Sequence, residues 1–584
     1  MARLLLCNNK DIFYKISKAN IDGGFKINGK YVGEKIFIET YSKIHLDLLN
    51  FLNIGEDFVA CSGTLLYKDI IGIDCLHVLY DDFSEEKIAE IRKDMVGTYV
   101  VAIKKRKRIY IFVDEVGTYA YHYYLKNEVF ISTNTYYHIA KNIKTSINKL
   151  AFKERIVEYC NIDNATIFND IYRLMGNEAV VIDLEMDNVQ VINIPQNYYD
   201  FDMNGDVQSI GKKFLDLIIK YAKKYQSFGS RMLFTTGGVD SRIILSIYNY
   251  LRDYPIVANW QGCPNEMNTK LPDRSISKQL ADISGLDFVP FDVSHDFTFD
   301  CENIDSMFSK YGEYSLIYCG NSKWYEIFEK NNDNVEGYDF GYFGETIKGW
   351  EPLDEQYHKH FSIEDYVKLY LNKNIIIDND NEFKEYVRKK ILYIAKVYGM
   401  DYDNLSKEDC MKLYYVYRVH ADTVCSNFAN MFAYSSNLFA EKEIVDFINK
   451  IPYDFKKDNH FNLMVTNMLN GKLLDVPYFS HCQYKKCDKR NLVLIEPSVN
   501  IKYHIKRRIL QTSIGRFLRA IKKKISNNNI NNTSVVSAKH ILTKASFETD
   551  TGVSLKEDSD LIGLMPCDLA CYSRFIQDVL KNKF

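Results

Sequence analysis

The 584-residue sequence predicts an α+β and α/β protein in two parts: a strand-rich N-terminal half, then a parallel-sheet half that ends in a mainly helical part. Three observations carry this. Short β-branched and aromatic runs bounded by polar turns fill the stretch before about residue 195. Strand and helix patterns alternate from about 207 to 293, as expected of parallel strands joined by crossover helices. Helical patterning dominates beyond about 355.

Taken in order, "TYVVAI" (Thr98–Ile103), "RIYIFVD" (Arg108–Asp114), "EVFIST" (Glu128–Thr133) and "EAVVIDL" (Glu178–Leu184) read as strands. A helix is expected over Ser84–Met95, with Ser84 as N-cap and Glu86 in the first turn. "NIPQNYYDFDMNGD" (Asn193–Asp206) is polar, carries Pro195 and Gly205, and reads as the linker between segments 1–200 and 207–584. Beyond it come a helix at Gly211–Tyr225, a short buried strand at Met232–Phe234 and a helix at Ser241–Leu251. A strand at Pro255–Trp260, a helix at Asp273–Ser284 and a strand at Asp287–Val293 follow. "SNNNINNTSV" (Ser526–Val535) is low-complexity and reads as a surface loop or linker.

Composition narrows the partners. A formal net charge of −3 gives no global field for nucleic acid or an anionic membrane. No apolar run reaches the roughly 18 residues of a transmembrane helix. "MARLLLCNNKD" turns polar too soon for a signal peptide, so a cytoplasmic location is expected. The 13 cysteines lack framework spacing, and Cys482/Cys487 beside His481 and Cys567/Cys571 lack the two-residue gap of zinc knuckles. They read as reduced structural thiols.

The stretch "RMLFTTGGVDSRIILSIY" (Arg231–Tyr248) sets a glycine pair between a strand and a helix. Ligands of open α/β sheets sit at the carboxyl ends of strands, and a new helix offers unpaired amides with partial positive charge. Gly237 and Gly238 lack Cβ and admit a close anion, while Thr236 and Ser241 add hydroxyl donors. Asp240 would repel a phosphate directly, so it makes sense as a ligand of Mg²⁺ that bridges to phosphate oxygens. The spacing is not that of a Walker A loop. A surface turn and a helix-capping Asp240 are the bland alternatives.

This loop resembles the S-G-G-x-D-S pyrophosphate motif of the ATP pyrophosphatases, which split ATP between the α and β phosphates. "DRSISKQLADISGLDFVPFDV" (Asp273–Val293), "DFGYFGETIKGW" (Asp339–Trp350) and "SNLFAEKEIVDFINKIP" (Ser436–Pro452) narrow the resemblance to the asparagine synthetase-like family, which includes β-lactam synthetases and lasso-peptide cyclases. In the N-terminal half, "VACSGTLLYKD" (Val59–Asp69), "IRKDMVGTYVVAI" (Ile91–Ile103) and "FVDEVGTYAYHYYLKNEVFISTN" (Phe112–Asn134) resemble that family's glutaminase-like domain of the N-terminal-nucleophile hydrolase fold, a β-sandwich. The resemblance implies ATP and Mg²⁺, with nucleotide contacts from Thr235, Thr236, Gly237, Gly238, Val239, Asp240, Ser241, Asn259, Asp339 and Phe340. Asp240 and Glu345 would be the catalytic and metal-holding carboxylates. The partner implied is a small molecule, peptide or glycan bearing a carboxylate, and a homodimer is left open.

The departures matter as much. Position 2 is Ala2 where an active glutaminase needs a cysteine, Cys7 reads as a core thiol, and Ser62 replaces the glutamine-site asparagine, so no glutaminase activity is expected. Gly344 falls where the family has its second Mg²⁺ aspartate, and Gly341 replaces an upstream glutamate. Glu345 either takes a metal position or only caps and packs. Tyr434 and Ser436 replace charged acceptor-side residues, so aspartate is not the expected substrate. Arg242 reads as a solvated helix residue, with contact to a phosphate as the other option. Two functions stand: an AMP-forming amide synthetase that adenylates a carboxylate for attack by an amine or ammonia, in natural-product or surface-glycan biosynthesis, or a degenerate nucleotide-binding scaffold.

Overall fold

In "RLLLC" the alternation of a strand decides the packing. Leu4 and Leu6 point to one side and Leu5 and Cys7 to the other, and all four are fully buried. This strand, β1 (Arg3–Cys7), belongs to a sheet with β2 (Ile27–Val32), β3 (Phe37–Tyr41), β10 (His122–Lys126), β11 (Val129–Thr133) and β12 (Ile171–Arg173), in the order β12-β10-β11-β1-β3-β2. A second sheet holds β4 (Phe51–Ile54), β5 (Asp57–Gly63), β8 (Tyr99–Lys105), β9 (Arg108–Val113), β13 (Glu178–Asp183) and β14 (Asn188–Asn193), in the order β14-β13-β9-β8-β5-β4. Both are antiparallel, and β6 (Leu66–Tyr67) with β7 (Met95–Val96) makes a small ribbon. Leu4, Leu6, Ile38, Ala60, Val100, Ile111, Phe130 and Val180 form one apolar layer between the sheets. The far faces carry helices, giving a helix–sheet–sheet–helix sandwich. The computed structural model describes residues 2–260, 267–292, 301–318, 325–330, 335–371, 377–378, 380–480, 483–495, 544–555 and 565–580.

The second half is built on a five-stranded parallel sheet, β15 (Arg231–Phe234), β16 (Ile256–Trp260), β17 (Phe288–Phe291), β18 (Gly337–Asp339) and β19 (Tyr434–Ser436). Their order is β17-β16-β15-β18-β19. The chain steps one way from β15 through β16 to β17, then returns to lay β18 on the other side of β15. Strand order therefore reverses at β15, where an open sheet leaves a crevice at its carboxyl edge. Helix Val207–Tyr225 covers one face through Phe214, Ile218, Tyr221 and Tyr225, and Asp206 caps it by accepting the Ser209 amide at 2.7 Å. The two halves are not separate bodies: Leu5, Ile131 and Phe152 share one apolar core with Tyr311, Phe428 and Phe575.

Several expectations shift. Ser84–Met95 is not one helix: a short turn at Glu85–Lys87 precedes helix Ile88–Arg92, Ser84 makes no capping bond, and Met95 starts β7. The helix expected from Gly211 begins at Val207 because Asp206 supplies the cap. The linker is pinned, since the Asn197 side chain donates to the Ala89 carbonyl at 2.7 Å and to Glu115. A small sheet of β20 (Tyr478–Ser480), β21 (Gln483–Asp488) and β22 (Val493–Ile495) stands inside the part read as helical. Ser526–Val535, Val293, His481 and Cys482 lie outside the described residues. Among the described residues no helix is long and apolar enough to cross a membrane.

Candidate functional site

The loop between β15 and helix Asp240–Leu251 is held from three sides. The Gly237 amide donates to Asp273 Oδ1 at 2.9 Å, the Gly237 carbonyl accepts the Phe479 amide at 3.0 Å, and Ser241 Oγ accepts the Thr236 amide at 3.1 Å. The helix has no side-chain cap. Its first amides lack intrahelical acceptors and carry the positive end of the dipole.

The two glycines do different jobs, and neither sits at positive φ. A Cβ on Gly237 would lie 2.7 Å from Asp273 Oδ1 and 3.0 Å from Phe479 Cβ, so this glycine makes room for the neighbouring helix and strand. A Cβ on Gly238 would meet only Thr236 Oγ1, at 3.3 Å. Gly238 instead opens on a cleft of about 680 Å³ lined by Val239, Glu345, Lys348, Trp350, Phe479 and Lys485, among others. That volume is in the range of small-molecule and cofactor sites. Trp350 stacks on Tyr414 with centroids 4.4 Å apart, forming an aromatic wall.

Beneath the loop lies a chain of alternating charges. Lys348 Nζ donates to Asp240 Oδ2 at 2.7 Å, and Asn462 Nδ2 donates to Asp240 Oδ1 at 3.1 Å. Arg418 Nη2 lies 3.2 Å from Glu345 Oε2 and 2.6 Å from Asp422 Oδ1. Burial, opposed by Lys348, pushes the Asp240 carboxyl up. Burial, opposed by Arg418, raises Asp422 to about 7. Glu345 is held below its ordinary value, the pull of Arg418 and Lys348 outweighing the effect of burial.

A divalent cation fits this arrangement poorly. Mg²⁺ asks for oxygen ligands at about 2.0–2.1 Å, one or two of them carboxylates. Both oxygens of Asp240 are taken, one by an ammonium. A Cβ on Gly344 would lie 2.5 Å from Asp240 Cβ, so no second carboxylate can stand there without a shift. Glu345 faces Arg418, and no group of three or more His, Cys, Asp or Glu among the described residues could hold a metal. Lys348 stands where the sequence led us to expect the cation.

Of the residues expected at the site, Gly237, Gly238, Val239 and Glu345 line the cleft. Thr236 and Ser241 brace the loop. Thr235 and Asn259 lie under it: Asn259 Nδ2 donates to the Thr235 carbonyl at 2.7 Å. Asp339 points away into the core, accepting from Tyr248 at 2.5 Å and from Ser436, and Phe340 stacks on Phe234 at 5.2 Å. Three readings need correction. Arg242 is not solvated; it is fully buried, donates to the carbonyls of Leu473, Val476 and Pro477 at 2.8–2.9 Å, and stacks on Tyr478. Tyr434 packs on Phe228 and Ser436 binds Asp339, so both are core groups rather than acceptor-side ones. Lys348, Arg418 and Asn462 were missed. Lys348 lies inside the quoted "GETIKGW" and was the one visible in the sequence.

In the N-terminal half Cys7 is buried in β1, its thiol pushed up to about 12 by burial. Ser62 is sealed, 2.5 Å from the Tyr119 hydroxyl, and neighbouring Thr64 accepts the Ser435 amide at 2.8 Å.

No family model matches the chain, and no curated protein matches it. Among solved structures, it is similar to glutamine phosphoribosylpyrophosphate amidotransferase from B. subtilis complexed with ADP and GMP, at 9% identity and a TM-score of 0.24, over 49% of this chain and 65% of that one. It is also similar to a structure of the allosteric regulatory enzyme of purine biosynthesis, at 10% identity and a TM-score of 0.23, over 40% and 60%. The chain thus spans less than two thirds of either structure's length.

Proposed function

We propose that the chain is an ATP-dependent amide-bond-forming synthetase. A substrate carboxylate oxygen attacks the α-phosphorus of ATP, the bond to the β-phosphate breaks, and pyrophosphate leaves. An amine then attacks the acyl carbon, loses a proton, and displaces AMP. The observation that carries this reading is the position of the loop: Gly238 opens on a nucleotide-sized cleft at the strand where sheet order reverses. The uncapped amides that follow Gly238 suit an anionic leaving group.

Lys348 is 27% exposed, so its ammonium can serve Asp240 and a phosphate together. Asp240 then acts as a positioning residue for Lys348, and Glu345 does the same for Arg418. No step is assigned to a metal held by these carboxylates. Trp350 and Phe479 offer a wall for an aromatic base, and Glu351, Glu355 and Asp458 at the rim suit an incoming amine. With Cys7 and Ser62 buried, the amine comes from the substrate or from solution rather than from glutamine hydrolysis in this chain.

A second reading, nucleotide binding without turnover, is favoured by the Asp273 carboxylate on the Gly237 amide. The experiment is pyrophosphate release from ATP with a panel of carboxylates and amines, beside direct ATP binding. Turnover supports the synthetase. Binding without turnover across the panel supports the second reading, and no binding overturns both.

A further inference from the structure

A second cavity, of about 60 Å³, lies at the seam of the two halves and shares no lining residue with the loop cleft. Its wall is assembled from distant parts of the chain. His122 opens β10, Arg155 comes from helix Lys149–Glu158, Arg173 ends β12, and His420 comes from helix Lys407–Ala429. All four are at least nine-tenths buried, with exposures of 5%, 9%, 9% and 3%.

The charges of this wall do not close on one another. Arg173 donates to the Gly117 carbonyl at 2.6 Å and meets His420 Nδ1 at 3.1 Å, and its Nε has no partner. Arg155 donates from Nε to the Tyr572 hydroxyl at 3.3 Å. Neither guanidinium has a carboxylate within ion-pair distance among the described residues. Of the two acids of the wall, Asp163 is taken by Lys390 at 2.7 Å, and Glu313 accepts the amides of Tyr136 and Tyr137 at 3.1 and 3.3 Å, so at most one carboxylate is left against two guanidinium groups. His122 Nδ1 lies 3.7 Å from Glu313 Oε1 and makes no hydrogen bond. Burial and the nearby Arg173 push His122 down to about 3 and His420 well below its ordinary value. The imidazoles are therefore neutral donor–acceptor groups beside two permanent cations.

Arginine cannot shed its proton at such a site, and a buried cation without an anion is costly. Space, donors and unmatched positive charge coincide here. The volume admits a few waters or one small ion and is far too small for a nucleotide. We propose that the seam cavity is a binding site for a small oxyanion, inorganic phosphate or a short carboxylate, held by Arg155 and Arg173 with His122 and His420. Guanidinium forks match such oxygens bidentately. Because His420 belongs to the C-terminal half and the arginines to the N-terminal half, the anion ties the halves together.

The test uses thermal melting of the full chain in phosphate, acetate and chloride at matched ionic strength. Phosphate or acetate is expected to raise the melting temperature saturably by a few degrees beyond chloride, as a ligand of the folded state must. A response to acetate alone identifies the carboxylate, and a response to phosphate identifies the phosphate. Arg155→Gln and Arg173→Gln should lose the response while keeping their response to ATP. Val424→Leu, which adds a methylene group to the cavity wall and leaves every charge in place, should weaken it too and covers the case in which an arginine variant fails to fold. Gly238→Val in the loop should keep it. An equal effect of chloride, a response undiminished in both arginine variants and in Val424→Leu, or one that vanishes in Gly238→Val overturns the proposal. None of these outcomes depends on catalysis, so the synthetase reading stands or falls separately.

Discussion

Beneath the loop cleft, Lys348 and Arg418 each hold carboxylates, whereas at the seam Arg155 and Arg173 hold none. In the first set two cations face three carboxylates, Asp240, Glu345 and Asp422, through contacts of 2.6–3.2 Å, so every charge has an opposite partner within the protein. Nothing need bind for it to be stable, and a ligand there must compete with bonds already made. The second set leaves positive charge facing space, so a ligand completes it. The same residue types therefore imply different things according to whether their partners are internal, and buried charge alone says little about function.

The largest break in this comparison is Arg418→Met. It leaves the buried Asp422 and the part-exposed Glu345 without their cation, and a loss of roughly 3 kcal/mol in unfolding free energy is expected, read from the denaturant midpoint at constant slope. Arg173→Met, tested without phosphate, should cost less, because no carboxylate is orphaned. Equal losses would erase the distinction between the two sets.

The loop glycines separate folding from chemistry. Gly238→Val should lower pyrophosphate release at least about 100-fold with little change in melting, since its side chain enters the cleft where the phosphates are expected. Gly237→Ala should instead destabilise by roughly 1–3 kcal/mol, because its Cβ meets Asp273, Ile276 and Phe479.

Lys348→Met tests the internal cation. ATP should bind about 10-fold more weakly, the worth of one charge-assisted bond. Asp240→Asn keeps that ammonium and should change affinity by less than about threefold, as should EDTA, by the same comparison of bond strengths. Loss of ATP binding in EDTA or in Asp240→Asn would restore the metal expected from the loop motif.

The smallest effect is in pH. Glu441 accepts the Gly97 amide at 3.1 Å and the Tyr225 hydroxyl, and burial raises its carboxyl to about 8. A raised folded value means that its contribution is full below the unfolded value near 4.3 and is lost as pH rises through about 8. Glu441→Gln should flatten part of the decline in stability between those limits, read from unfolding midpoints across pH. An unchanged slope would remove Glu441 from that account.

Local pattern determined the parts of this protein that depend on near neighbours. The strand runs before residue 195, the alternation after 207 and the loop between β15 and its helix all follow from side-chain period and turn chemistry, which act over a few residues. The Ser84–Met95 helix failed for the same reason: a propensity legible in isolation yielded to a ribbon between Met95–Val96 and Leu66–Tyr67. Composition carried no sign of β20–β22, whose pairing places Phe479 on the loop. Tertiary structure alone decided what each charge means. Asp240 gains an ammonium partner in Lys348, 108 residues away, that the loop motif does not announce, and Arg242 reads as a surface residue until the chain near Leu473–Pro477 closes over it. Long side chains take whichever partner packing brings within about 3 Å, and sequence spacing does not encode that.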